Sequence, residues 1–175
     1  KIKKIILIAV LMLITSGFTV SKKIDAIINK EIKTVFNIES YSKTNFVVSD
    51  EMNKTLPLKI TGDNFCKVFN KEKLIGYYFV GQAYGKADYF DFIVIFDTDL
   101  IVEKVSVLVY REDHGAEVGS KRWLKQFTGA TTSKTLIYQE DIVGISGATI
   151  SVKSMTNEVN KLLKTVNILH TKNQL

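Results

Sequence analysis

The run Tyr89-Phe90-Asp91-Phe92-Ile93-Val94-Ile95-Phe96, the turn Asp97-Thr98-Asp99 and the stretch from Ile101 to Tyr110 decide the fold. In the first run Phe90, Phe92, Val94 and Phe96 share one face, because successive side chains of a strand point to opposite sides. Val105, Val107 and Val109 alternate in the same way in the second. Two such runs joined by a short polar turn read as antiparallel neighbours with one buried face. Towards the N-terminus, Phe65 to Phe69 and Leu74 to Val80 flank Asn70-Lys71-Glu72-Lys73 and predict a second hairpin. Phe46 to Ser49 reads as a further strand. Asp50 to Gly62, with the only proline, Pro57, reads as loop with short extended pieces.

Towards the C-terminus, Arg111 to Gly119 is a polar, glycine-bearing loop with a solvated charge cluster at Arg111, Glu112 and Asp113. Ser120 is placed to cap a short helix with Trp123, Leu124 and Phe127 inward, and Gly129 to end it. Leu136 to Tyr138 reads as a short strand. From Val152 the apolar residues Met155, Val159, Leu162, Leu163 and Val166 follow at the spacing of one helical face. Ser21 to Phe36 shows the same period, with Ile24, Ile27, Ile28, Ile32 and Val35 on one side. The expected class is α+β: an antiparallel β-sheet packed with helices on one side, preceded by an N-terminal signal or anchor helix.

That leading segment is Lys1-Ile2-Lys3-Lys4, then an apolar run from Ile5, then Thr15, Ser16 and Gly17. A basic start, a hydrophobic centre and small residues after it describe an export signal. An uncleaved anchor is the alternative, but the uncharged run Ile5 to Val20 falls slightly short of the roughly 20 residues that span a bilayer. No cysteine follows it for a lipid anchor. The expected division is 1–20 as signal or anchor, 21–62 as an N-terminal helix and loop region, and 63–175 as the main domain. The chain has 175 residues, 46% of them hydrophobic and 24% charged, an ordinary globular balance. Its net charge is +6, but Lys1, Lys3 and Lys4 carry three of those charges, and the remaining +3 is too mild for nucleic-acid binding. The lone Cys66 excludes an intramolecular disulfide and a four-cysteine zinc site, and reads as a small packing residue. No metal site is expected.

The chemistry concentrates in Asp141-Ile142-Val143-Gly144-Ile145-Ser146-Gly147-Ala148-Thr149-Ile150-Ser151, directly before the last helix. Thr149 or Ser151 is a suitable N-cap. A helix start carries unpaired N–H groups and the positive end of the dipole, which suits a phosphate. Gly147 would let backbone approach such a group closely. The first reading is therefore a phosphate-bearing cofactor seated at this helix mouth.

Ser146-Gly147-Ala148-Thr149-Ile150-Ser151 resembles the flavinylation motif of the FMN-binding domain family. That family includes the FMN-bearing extracytoplasmic subunits of Rnf and sodium-pumping NADH:quinone oxidoreductase complexes. Gly81-Gln82-Ala83-Tyr84-Gly85 and the strand pair after it look like the family's sheet core. Glu117-Val118-Gly119, after His114-Gly115, is similar to its glutamate-and-glycine loop that lies against the flavin. The resemblance covers residues 74–165. The family often has an acidic residue six positions before the threonine; here that position is Val143, with Asp141 two residues further back. The loop also lacks a proline common in the Rnf-type subunits.

The resemblance implies FMN esterified through its phosphate to Thr149 by a dedicated flavin transferase. It places Ser146, Gly147, Ala148, Ser151, Glu117, Val118, Gly119, His114 and Tyr84 around the cofactor. Glu117 and His114 would hydrogen-bond the ring or ribityl chain, and Tyr84, Tyr110 or Trp123 would supply a flat wall. The implied protein is an exported or membrane-anchored electron carrier outside the cytoplasm, with membrane redox proteins as partners and no catalytic residues of its own. Taken alone, Trp123 reads as core and His114 as a solvated loop residue. Gly144-Ile145-Ser146-Gly147-Ala148 loosely mimics a nucleophile elbow, but only Glu158 and His170 follow it, too few residues for that fold. The remaining rival is an exported, non-redox α+β module that binds a ligand or a protein.

Overall fold

The computed structural model of the chain describes residues 22–112 and 115–175. The expected signal or anchor over 1–20 lies outside these residues, as does His114. Helix α1 covers residues 22–36. Then come β1 (Ser42–Asn45), α2 (Asp50–Thr55), β2 (Phe65–Asn70), β3 (Lys73–Tyr84), β4 (Tyr89–Phe96) and β5 (Val102–Val109). A 3-10 turn (Ala116–Gly119), α3 (Lys121–Leu124), a second 3-10 turn (Lys125–Phe127) and α4 (Thr149–Thr171) complete the order. The strands form one sheet in chain order, every neighbouring pair antiparallel. The α+β meander is the architecture the alternating runs call for.

Strand β4 explains why the sheet has a helix on each side. Phe90, Phe92, Val94 and Phe96 pack with Val152, Met155, Val159, Leu162, Leu163 and Val166 of α4. Ile93 and Ile95 point the other way, towards Tyr78, Leu108 and Ile28 and Ile32 of α1. All six of these β4 side chains are at most 1% exposed. Burying one side chain of this size stabilises the fold by about 1.5–3 kcal/mol, so neither face can be left to water. Helices on one side only, as the sequence suggested, leave Ile93 and Ile95 uncovered; α1 supplies the second layer. Cys66 belongs to that second layer, buried with its Sγ 3.5 Å from Asn45 Oδ1.

Local chemistry sets the turns. Asp97 Oδ1 accepts from the N–H of Asp99 at 2.9 Å and of Ile101 at 2.8 Å, closing the β4–β5 hairpin. Ser120 Oγ accepts from Trp123 N–H at 3.3 Å and caps α3, and Gly129 at φ +82° ends the helical stretch, both as read from the sequence. Other details differ. Strand β1 lies at Ser42–Asn45 and not at 46–49, because Phe46 and Val48 turn into the core as the chain leaves the sheet. Within the expected 50–62 loop stands α2, capped by Ser49 Oγ, which accepts from Met52 N–H at 3.2 Å. Six residues are too few to show a helical period. The expected strand at Leu136 to Tyr138 reduces to a single parallel bridge between Tyr138 and Ile142.

Candidate functional site

Helix α4 starts without a side-chain cap among the described residues. Its N-cap is Ala148, and no described side chain bonds the free N–H groups there, so neither Thr149 nor Ser151 caps the helix as expected. Thr149 is instead the first helical residue, with its side chain exposed, while Ser151 is 3% exposed and faces inward. The first-turn donors and the positive end of a 23-residue helix are therefore open to a ligand. Gly147 enters the turn at φ +80°, and a Cβ built on it would meet nothing within 4 Å. Glycine serves the backbone conformation there, and the space beside it is free.

The loop after β5 folds over this turn. A side chain on Gly115 (φ +81°) would strike Tyr110 Oη at 2.8 Å and Ala148 Cβ at 3.2 Å. The glycine thus brings the 115–119 loop into contact with the start of α4, although more than thirty positions separate them in the chain. Val118 is fully buried and anchors the loop in the core, which leaves Glu117 and Gly119 on the surface.

Beside the turn lies an open cleft of about 610 Å³, lined by Glu117, Ser120, Arg122, Trp123, Gln126 and the backbone segment Val143 to Ile145. Pockets of roughly 300–1,000 Å³ take ligands of cofactor size. Its two walls are tied together. Trp123 Nε1 donates to Val143 O at 2.8 Å, and Val143 N–H donates to Gln126 Oε1 at 2.8 Å. Gln126 Nε2 donates in turn to Trp123 O at 2.9 Å. Both backbone groups of Val143 are thereby held by α3 and the turn after it, while its side chain is 66% exposed. Trp123 packs edge-on to Phe127, 5.3 Å between ring centroids, so it belongs to the core and to the cleft wall at once. Gln126 is the participant that the sequence reading missed, since nothing local marks a glutamine that bonds residues 17 positions away.

The other candidates divide clearly. Tyr84 is not among the residues that line the cleft; its N–H donates to Ser154 Oγ of α4 at 2.7 Å, and its ring packs edge-on with Tyr89 at 5.0 Å. Asp141 is taken up by Lys134 Nζ at 2.6 Å and by the N–H of Ile137 at 2.9 Å, contacts that hold its carboxyl below the usual range. It shapes the approach to the turn and does not face the cleft. Arg111 and Glu112 are not a merely solvated cluster. Arg111 pairs with the nearly buried Asp91, which also accepts from Gln82 Nε2 at 2.7 Å. Glu112 Oε1 accepts from the N–H of Ala87 and Asp88 at 2.5 and 3.0 Å and pins the β3–β4 hairpin tip. Among the described residues no cluster of His, Cys, Asp or Glu could hold a metal ion, and no helix is long and apolar enough to cross a membrane.

Residues 85–164 match the family model described as the FMN-binding domain. This segment runs from the hairpin tip at Gly85 through the cleft and well into α4. The crystal structure of Shewanella oneidensis NqrC has the same fold, with a TM-score of 0.58 at 14% sequence identity, covering 83% of this chain and 94% of that one. No curated protein matches the chain.

Proposed function

We propose that this chain, which carries an FMN-binding domain over residues 85–164, is an electron-transfer flavoprotein whose FMN is bonded through its phosphate to Thr149. The observation that carries this reading is the exposed Thr149 at a helix start with no side-chain cap among the described residues, four residues on from Ile145 in the wall of a cleft of about 610 Å³. The residues present suit the group. Free first-turn N–H groups and the dipole of α4 favour a phosphate at Thr149. Open space beside Gly147 admits it, and the cleft between Trp123 and Val143 to Ile145 offers a partly apolar wall to a flat ring. FMN supplies one- and two-electron chemistry; the protein holds it, screens one side from water and tunes its potential.

In this reading the Thr149 Oγ1–phosphorus bond forms as the pyrophosphate P–O bond of a flavin dinucleotide held by the flavin transferase breaks; the hydroxyl proton goes to solvent and the nucleoside monophosphate leaves. Surface exposure of the hydroxyl suits modification by a second protein. Arg122 and Glu117 are the charged side chains that line the cleft among the described residues, and they would face the bound cofactor. The resemblance to FMN-bearing subunits of membrane redox complexes, joined by the shared fold with NqrC, supports membrane redox proteins as partners. It also supports an extracytoplasmic location, with the 1–20 segment as signal or anchor. The chain is then a carrier and not a stand-alone enzyme.

The test is co-expression with a flavin transferase followed by acid precipitation and intact-mass measurement. The expected product is yellow, with the added mass of an FMN phosphoester. Thr149→Ala loses both colour and mass while Ser146→Ala keeps them. A colourless wild-type protein in the presence of active transferase would overturn the reading.

A further inference from the structure

A second groove lies on the far side of α3 from the cleft. It has a volume of about 360 Å³ and runs between edge strand β5 and α3, with Glu31 of α1 at one end. Its floor is apolar and recessed: Val105 and Leu124 are 3% and 4% exposed. Its rim carries Lys104, Lys121 and Lys125 against one carboxylate, Glu31, which pairs with Lys104 at 2.6 Å. Lys121 and Lys125 make no ion pair among the described residues. Two exposed, uncompensated ammonium groups over a recessed apolar floor favour an acidic surface with a protruding apolar side chain.

Helix α3 and its continuation belong to both hollows. Ser120, Arg122, Trp123 and Gln126 line the cleft, and Lys121, Leu124 and Lys125 line the groove. An occupant of the groove is therefore separated from the flavin cleft by the thickness of one helical segment, on the order of 10 Å. We propose that this groove is the docking surface for an acidic redox protein that exchanges electrons with the cofactor through the α3 wall. The proposal rests on the flavoprotein reading above for its electron transfer, though not for its docking. A recessed floor argues against a membrane as occupant, because lipid binding favours apolar side chains that protrude.

The experiment uses transferase-loaded holoprotein and, as probe, a reduced acidic [2Fe–2S] ferredoxin mixed by stopped flow. Two ferredoxins are each oxidised by one electron for every flavin taken to the hydroquinone, with two protons drawn from solvent. The Lys121→Glu/Lys125→Glu double variant should lower the second-order rate on the order of 10-fold at low salt, the gap closing as salt rises. Lys164→Glu/Lys172→Glu changes net charge equally, away from the groove, and should leave the rate near that of wild type. Equal slowing in both doubles, or none in either, overturns the proposal. So does capture of the protein by phosphatidylglycerol vesicles that depends on Lys121 and Lys125 while the ferredoxin rate stays unmoved. If no flavin attaches, the functional reading fails by itself. The groove is then scored by anisotropy of labelled ferredoxin, where binding lost only in the Lys121/Lys125 double supports it and unchanged binding overturns it.

Discussion

Gly147 and Thr149 stand two residues apart with separable jobs. At φ +80° any side chain is strained by roughly 1–2 kcal/mol, and nothing else near Gly147 resists one. Gly147→Ala is therefore expected to lower the melting temperature by a few degrees through backbone strain. Thr149→Ala, at an exposed position, should leave melting unchanged and remove only the flavin. A comparable loss of melting temperature in both variants would contradict this division. Trp123, the only tryptophan, lines the cleft, so its fluorescence reports on that cleft directly. Flavin bound there should quench its emission strongly, with full recovery in Thr149→Ala; bright emission from fully flavinylated protein would put the ring elsewhere. Gln126→Ala leaves Val143 N–H and Trp123 O to water and should cost about 1 kcal/mol in urea unfolding.

At the scale of elements, the site depends on short pieces held by single side chains. The cap from Ser120 fixes where α3 begins, and Ser120→Ala should destabilise the fold by about 1 kcal/mol, read by urea unfolding. The β3–β4 hairpin tip depends on Glu112. Bonds from the N–H groups of Ala87 and Asp88 favour its carboxylate and lower its pKa below the ordinary 4.5. A lowered folded-state pKa means the contribution is complete above that ordinary value and disappears as pH falls through the folded value. The amide resonances of Ala87 and Asp88 should accordingly titrate together with a midpoint below 4.5, and Glu112→Gln should abolish the step. A midpoint at or above 4.5 would show that the contact is absent in solution. Helix α4 is the one long element of the site, and its period was plain in the chain. Its true start was not. Ala148, which a capping rule passes over, takes the N-cap, and Gly115 comes close to it from the 115–119 loop.

Across the whole molecule, a sheet clad on both faces holds the site on a rigid floor. The second layer is part of that floor, since Ile32 is fully buried against Ile93 and Ile95. Ile32→Ala is expected to cost about 2–5 kcal/mol in chemical denaturation, although α1 lies on the opposite face from the cleft. A cost below 1 kcal/mol would show α1 to be a dispensable cover. Strands β2, β4 and β5, the long last helix and the Ser146 to Thr149 turn were all determined by residue order alone, because a period of two, a period of 3.6 and a short motif are local signals. Only the tertiary structure decided that α1 covers the far face, that the backbone of Tyr84 bonds Ser154 of α4, and that Gln126 and Trp123 hold Val143. Each of those depends on which distant segments share a surface, and alternation along a single strand cannot report what lies across it.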